Sequence, residues 1–337
     1  MWSSHIQART NLNHSKPSRA NSYDVQVDRA TQDRKVAHLR LYPVKSCAGI
    51  ELESANVTIR GLETFSSHPV RDREYMVVDA GPETESRHHK FLTQRDRGLQ
   101  KMSLIKPRLH DGKLVLIWDN QDHVEVPGIL AGKELPVRVH SYLAKGVDQG
   151  DEVAKMFSDY LHRSVRLVWA SESFSRMASQ HYAKNDNTLS WQDAYSVTWL
   201  FLESFNQLQS TLRRDISYVN FRPNIVGSGG AANLEHSFYH VGFRTVVGIQ
   251  PKPSTRCMIV NVDQETGVMP KERSLPLQVL YDHFNWIDMN GQKQAIFAEN
   301  FLPTSEGKID KFDDIIALSV RDPPLVYGER QSFANTP

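Results

Sequence analysis

The chain has 337 residues, of which 39% are hydrophobic and 23% are charged, and its net charge is +1. This composition is typical of a globular protein with a sizeable core and about two domains, and the near-neutral charge gives no support to nucleic-acid binding. Its only two cysteines, Cys47 and Cys257, argue against a disulfide framework and exclude a four-cysteine iron–sulfur cluster within the chain.

The N-terminal region is polar and aperiodic, and we expect residues 1–35 to form a disordered tail. The sequence has no apolar run of about 18 residues and no apolar secretory segment, which predicts a protein without a transmembrane segment. Residues 1–23 contain basic residues but no Asp or Glu, as transit peptides do. We therefore predict a cytoplasmic location, with a mitochondrial one as the alternative.

Short segments that alternate between apolar and polar residues predict a β domain over residues 36–150. The first is the segment 36–43, VAHLRLYP. The other predicted strands lie at 57–60, 74–79, 103–105, 114–118, 124–126 and 137–139.

A helical and looped connection is predicted over residues 151–215. Apolar residues share one face of a helix over 151–163, a polar loop follows at 171–192, and a second helix is expected over 197–213. From residue 216 to 325 the pattern returns to short strands, among them 243–250 and 257–263, and residues 326–337 form a tail. The fold class is therefore α+β and mainly β: a barrel-like N-terminal domain and a C-terminal barrel with a few helices.

The segment Thr255–Arg256–Cys257 is the strongest candidate for chemistry. An arginine beside a cysteine favours the thiolate, the form that ligates metals and attacks electrophiles. The alternative is a small cysteine buried in the core, because free cysteine is among the most buried residue types.

Three further clusters could bind an anion. Arg222 and Asn224 flank a proline, Lys45 and Ser46 follow the first predicted strand, and strand alternation would place Arg71 and Arg73 on one face. The alternatives are a solvated arginine in a turn, a surface lysine, and a solvated arginine pair around an aspartate.

Other catalytic classes find little support. The 14 histidines include no HExxH spacing, and no GxSxG segment is present. A histidine metal site and a serine hydrolase are thus disfavoured.

Taken in order, the clusters resemble the MOSC family with its N-terminal β-barrel domain. Within that family the nearest group is the mitochondrial amidoxime reducing component and its bacterial relatives. The resemblance runs from about residue 36 to 315. It rests on YPVKSC at 42–47, RDR at 71–73, FLTQR at 91–95, FRPNIV at 221–226 and RC…VD..TG at 256–267.

The resemblance implies a molybdenum–molybdopterin cofactor between the two domains. Cys257 would be the catalytic residue and the thiolate ligand to molybdenum. Cys47 would be structural. The residues implied to bind the pterin and its phosphate are Lys45, Ser46, Arg73, Arg222, Asn224, Thr255 and Arg256.

The implied activity is the two-electron reduction of N-hydroxylated substrates such as amidoximes and hydroxylamines. Electrons would come from a separate donor, either a b-type cytochrome with its reductase or a ferredoxin-like protein. Departures from the family pattern are Glu74 after RDR, 275–277, Phe284 and 311–313. They put the substrate, the donor and turnover in doubt.

Two alternatives stay open, and the departures motivate the second of them. The first is a non-redox module that binds the cofactor or carries sulfur. In the family that role accompanies a pyridoxal phosphate domain, and this sequence shows no lysine motif for one. The second is an accessory protein that has lost turnover.

Overall fold

The computed structural model describes residues 33–81, 88–119, 122–171, 176–271 and 275–321, with Leu325 and Tyr327. The two predicted tails, 1–35 and 326–337, therefore lie almost entirely outside the described residues. At the inner end of the first tail, Arg34 is buried and the first strand already begins at Lys35.

The first half of the chain is mostly β-structure, as predicted. A helix, α1, covers Asp151–Leu161, and a 3-10 helix covers Gln100–Leu104. The strands are β1 (Lys35–Leu41), β2 (Ile50–Leu52), β3 (Ser54–Thr58), β4 (Gly61–Glu63), β5 (Tyr75–Asp79), β6 (His89–Lys90), β7 (Lys106–His110), β8 (Lys113–Trp118), β9 (Asp122–Glu125), β10 (Glu134–Val139), β11 (Tyr142–Asp148) and β12 (Val165–Ala170).

The second half carries two more helices, α2 (Leu202–Thr211) and α3 (Pro276–His283). Short 3-10 helices cover Tyr218–Phe221, Leu234–Ser237 and Met258–Asn261. The strands are β13 (Arg176–Met177), β14 (Thr188–Leu189), β15 (Val197–Phe201), β16 (Ile225–Ser228), β17 (Phe238–Phe243), β18 (Val246–Ile249), β19 (Pro253–Thr255), β20 (Asn285–Ile287), β21 (Lys293–Pro303), β22 (Gly307–Asp310) and β23 (Ile315–Val320).

The largest sheet takes strands from both halves of the chain. Its order is β2-β1-β16-β15-β21-β18-β17-β23, and β19 and β20 also pair with β21. A five-stranded sheet, β5-β12-β11-β10-β6, and the meander β7-β8-β9 belong to the first half. Because β1 pairs with β16 and β3 pairs with β22, the two halves share sheets and one main core cluster.

The helix α1 forms where the sequence predicted it. Val153, Met156 and Phe157 share its buried face, and Asp151 and Glu152 lie in the first turn, where the helix dipole favours negative charge. Gly150 precedes the helix with φ 93°, a conformation that a side chain would strain. The helix packs its apolar face on β12.

Three predicted elements are wrong. Residues 103–105 end a 3-10 helix, and 257–263 contain the 3-10 helix Met258–Asn261 instead of a strand. Residues 197–201 form β15, so the helix predicted over 197–213 begins only at Leu202. Short apolar runs do not distinguish strand from helix, and β15 is apolar at every position but Thr198 because it lies between β16 and β21.

Candidate functional site

A cavity of about 400 Å³ lies where the ends of several strands and turns converge. This volume falls within the usual range for a small-molecule site. All eight predicted site residues line it, although they come from four distant parts of the chain: Lys45, Ser46, Arg73, Arg222, Asn224, Thr255, Arg256 and Cys257.

Lys45 lies just after β1 and is buried, so it is not a surface lysine of a turn. Its Nζ donates hydrogen bonds to the carbonyl of Trp191 at 2.8 Å and to Oδ1 of Asp193 at 2.7 Å. Burial lowers the pKa of Lys45, although Asp193 opposes that shift. The charge of Lys45 is thus already matched by a protein carboxylate.

Arg73 occupies a turn before β5, where the sequence had predicted that Arg71 and Arg73 share a strand face. That prediction is wrong, because Arg73 adopts φ 51° and the strand begins at Tyr75. Arg71 bonds to Glu63, whereas Arg73 donates to the buried carboxylate of Asp72 at 2.5 Å. The turn therefore points the two guanidinium groups to different partners.

Asn224 lines the cavity, but its amide is used within the protein. Oδ1 accepts from Arg73 at 3.1 Å and from the backbone N–H of Thr198, and Nδ2 donates to the carbonyl of Arg40 and to Asp72. These four bonds use the capacity of the amide. Asn224 thus positions Arg73 and Asp72.

Arg222 follows the 3-10 helix Tyr218–Phe221 and lines the cavity next to Tyr42. Its guanidinium carbon lies 4.3 Å from the centre of the Tyr42 ring, and that of Arg73 lies 4.5 Å from the same centre. One nitrogen of Arg222 donates to the carbonyl of Cys47 at 2.6 Å. Its Nη2 is buried and has no hydrogen-bond partner among the residues that the structure describes.

Arg256 shows the same incomplete pairing. Its Nε donates to the carbonyl of Phe297 at 2.7 Å and its Nη1 to that of Phe221 at 3.0 Å, while the buried Nη2 finds no acceptor in the described part of the chain. Burial lowers the pKa of Arg222 and of Arg256 to about 10, and in both the nearby Arg73 lowers it further. The protein leaves two guanidinium nitrogens unsatisfied at one cavity, which is costly unless a ligand accepts from them.

Cys257 is exposed at the cavity and begins the turn into the 3-10 helix Met258–Asn261. The alternative of a core cysteine is therefore wrong for Cys257, and it describes Cys47, which is fully buried. Burial raises the pKa of the Cys47 thiol to about 12, so that thiol stays protonated. Thr255, at the end of β19, is exposed on the same wall as Cys257.

The backbone is strained at three of the predicted site residues. Ser46, Arg73 and Arg222 have φ values of 72°, 51° and 52°, in a region that residues with a Cβ avoid. Each such residue costs on the order of 1–2 kcal/mol. Surrounding hydrogen bonds hold them there, for example the 2.7 Å bond from Gln94 to the carbonyl of Ser46.

The lining of the cavity is strongly cationic. Among the described residues that line it, the only carboxylate is Asp193, whose pKa is raised by burial but lowered more by Lys45 and His140. Its cations are Lys45, Arg73, Arg95, Arg222, Lys252 and Arg256. The described part of the chain shows no group of three His, Cys, Asp or Glu side chains that could hold a metal ion alone.

Sequence reasoning missed five residues at or behind this cavity. Asp72 was taken as the middle of an arginine pair, but it accepts from Tyr42 N, Asn224 and Arg73. FLTQR pointed to the segment of Arg95 without assigning it a role. No local signal marked His140, Asp193 and Lys252, which reach the cavity only through the fold.

Comparison with known proteins gives a consistent result. Residues 33–164 match the MOSC N-terminal beta barrel domain. The chain is 28% identical over 300 residues to mitochondrial amidoxime-reducing component 1 of Mus musculus, covering 86% of this chain and 84% of that protein. It is 29% identical to mitochondrial amidoxime reducing component 2 of Bos taurus (75% and 73% covered) and 27% identical to component 1 of Homo sapiens (84% and 82%).

The chain carries a MOSC N-terminal β-barrel domain and is a relative of the amidoxime-reducing components. The resemblance in the motifs and the mainly β fold class are thereby confirmed. In the part of the chain that the structure describes, no helix is both long and apolar enough to cross a membrane. The roles of the eight residues at the cavity remain predictions.

Proposed function

We propose that this MOSC protein binds molybdenum–molybdopterin in the cavity, with Cys257 as the thiolate ligand of the metal. The observation that carries the proposal is the pair of buried, unpartnered Nη2 atoms on Arg222 and Arg256. A phosphate dianion accepts several charge-assisted hydrogen bonds and would satisfy both donors. The exposed Cys257 lies at the same cavity.

The donor set fits the cofactor chemically. A soft thiolate is a suitable ligand for molybdenum, and the site needs no further metal-binding side chains if the pterin supplies the other sulfur ligands. Arg222 and Arg256 would bind the phosphate, and Lys45, Ser46 and Arg73 would surround it. Asn224 would act through Arg73, and Thr255 would form the wall next to the ligand.

We further propose that the reaction is the reduction of N-hydroxylated compounds. When bound, the cofactor supplies two-electron oxygen-atom chemistry. In the net reaction the N–O bond breaks, two electrons and two protons are consumed, and an amine or amidine and water leave. A separate donor would provide the electrons: a b-type cytochrome with its reductase, or a ferredoxin-like protein.

His140 and Asp193 are placed to deliver protons to this cavity. His140 Nε2 lies 3.6 Å from Asp193 Oδ1, and the same carboxylate holds Lys45. A histidine that lies against a carboxylate in this way can serve as a proton shuttle. The names of the relatives, all called mitochondrial, support the mitochondrial alternative for the location of this chain.

The molybdenum and pterin content of protein from a cofactor-competent host tests the proposal. We expect near-stoichiometric metal and pterin in the wild type. Cys257→Ala should lose the molybdenum or show altered coordination of it, and Arg222→Ala should show lower pterin occupancy. Cys47→Ala is the matched control, since it removes the buried thiol and should keep the metal.

The outcomes separate the alternatives. A folded wild type without metal or pterin would refute cofactor binding. A protein that binds the cofactor but does not reduce an amidoxime when a chemical reductant is supplied would instead be a non-redox module or an accessory protein. Unfolding of Cys257→Ala would show that the Cys257 side chain is needed for packing, which its exposed position argues against.

A further inference from the structure

Lys252 lines the cavity but is not among the residues proposed to bind the cofactor. It lies between β18 and β19 and lines the same cavity as Cys257. Cys257 lies five positions after Lys252 in the chain, so their Cα atoms are at most about 18 Å apart. The carbonyl of Lys252 accepts from Nδ2 of Asn300 at 3.1 Å, which fixes the backbone at this point.

The ammonium group of Lys252 rests on two aromatic rings. Its Nζ lies 5.4 Å from the centre of the Tyr182 ring and 5.7 Å from that of Trp286. Such contacts hold a cation in place but leave its N–H donors available. Among the described residues, Nζ forms neither a hydrogen bond nor an ion pair, in contrast to Lys45 with its bond to Asp193.

The nearest acidic groups are engaged elsewhere. Glu299 is fully buried and binds His236 at 2.6 Å and Arg321 at 3.3 Å. Asp288 accepts from the side chain of Gln294 and from two backbone N–H groups. Burial lowers the pKa of Lys252 to about 8, which Glu299 and Asp288 partly oppose. The group is therefore a cation at neutral pH without an anionic contact.

We infer that Lys252 selects substrates that carry a carboxylate, which it binds while the N-hydroxyl group faces Cys257. The position of the N-hydroxyl group next to Cys257 rests on the proposed function, whereas carboxylate binding by Lys252 does not. An ammonium anchored on aromatic rings and lacking a protein carboxylate is suited to a carboxylate ligand. Lys252 and its two aromatic rings thus add selectivity to a cavity in which Lys45, Arg73, Arg222 and Arg256 serve the cofactor.

The test compares a neutral and an anionic substrate in the metal-loaded protein, with dithionite-reduced methyl viologen as the electron source. The probes are benzamidoxime and 4-carboxybenzamidoxime, and the variant is Lys252→Met. We expect the wild type to prefer the carboxylate by about tenfold in kcat/KM, the usual size of a charge-assisted hydrogen bond, and the variant to lose that preference. An unchanged preference in Lys252→Met would overturn the inference.

Lys293→Met is the matched control. Lys293 also rests on an aromatic ring, with Nζ 5.6 Å from the centre of Tyr281, but it is exposed and outside the cavity. It should keep the wild-type preference. If Lys252→Met instead loses molybdenum or pterin, Lys252 binds the cofactor phosphate and the inference is wrong.

A binding measurement separates this inference from the proposed function. Calorimetric titration with benzoate and with benzamide is done in phosphate buffer, so that Arg222 and Arg256 are already occupied. Benzoate binding that disappears in Lys252→Met supports the inference even if the protein reduces no amidoxime. If the protein reduces amidoximes but binds benzoate and benzamide with the same affinity, the inference is refuted and the proposed function stands.

Discussion

The cavity and the interior around Glu299 both bury cationic side chains, but they differ in whether a protein carboxylate contacts the cation. Around Glu299, the carboxylate has 0% exposure and lies against both His236 and Arg321. At the cavity, Arg222 and Arg256 bond only to backbone carbonyls, and each keeps a buried Nη2 for which the described residues supply no acceptor. A matched charge indicates a structural role, whereas an unmatched one indicates a site for a ligand.

The largest expected effect is on the matched side of this comparison. Glu299→Gln would leave Arg321 and His236 facing a neutral amide, and removing one partner of a buried pair costs about 3–5 kcal/mol. We expect a loss of that size in the free energy of unfolding, measured by urea denaturation. A loss below about 1 kcal/mol would contradict the comparison, because it would mean that Glu299 does not stabilise the buried charge of Arg321.

Asp72 lies between the two regions in behaviour, since it supports the cavity and is itself fully buried. Asp72→Asn keeps the shape but weakens the bond to Arg73. We expect a loss of about 2–3 kcal/mol in the free energy of unfolding, the range for a hydrogen bond to a charged group. Cofactor retention should also fall, because Arg73 is no longer held. Asp193→Asn, at the open side, should cost less stability than Asp72→Asn.

The sequence could single out eight residues that line the cavity, because each lies in a short motif whose residue types have distinctive chemistry; their roles stay predictions. Arg256 and Cys257 are adjacent, and Lys45 and Ser46 follow a clear strand. Lys252 and Asp193 lie in segments without such a motif, and only the pairing of β19 with β21 and the turn before β15 bring them to the cavity. Unsatisfied nitrogens on Arg222 and Arg256 are likewise properties of the packed structure.

The fold was predictable at the level of class and of the long periodic segments such as α1. Strands of three to five residues gave less signal: β15 was predicted as helix and Met258–Asn261 as strand. Both are short apolar runs whose structure is decided by neighbours far along the chain. The pairing of β1 with β16 also has no local signature.

Arg222 tests the unmatched side directly. In Arg222→Met the bond to the carbonyl of Cys47 is lost, but so is the cost of burying an unpartnered nitrogen. We expect the free energy of unfolding of the cofactor-free protein to change by less than about 1 kcal/mol, while molybdenum and pterin retention falls sharply. Arg321→Met is the control: it should cost several times more stability, since it removes one of the two partners of the buried Glu299 and leaves only His236. Equal losses in the two variants would contradict the comparison.

The smallest effect concerns pH and Lys252. Burial chiefly, with Arg256 in addition, lowers the pKa of this lysine to about 8, while Glu299 and Asp288 raise it. The ammonium is charged below that pH and neutral above it, so the preference for 4-carboxybenzamidoxime should be full near about pH 7 and largely lost by about pH 9. The ratio of kcat/KM for the two amidoximes, measured across this range, reports the titration. In Lys252→Met the ratio should be flat, and a wild-type ratio that is equally flat would mean that the carboxylate is bound by a guanidinium group, which keeps its proton in this range.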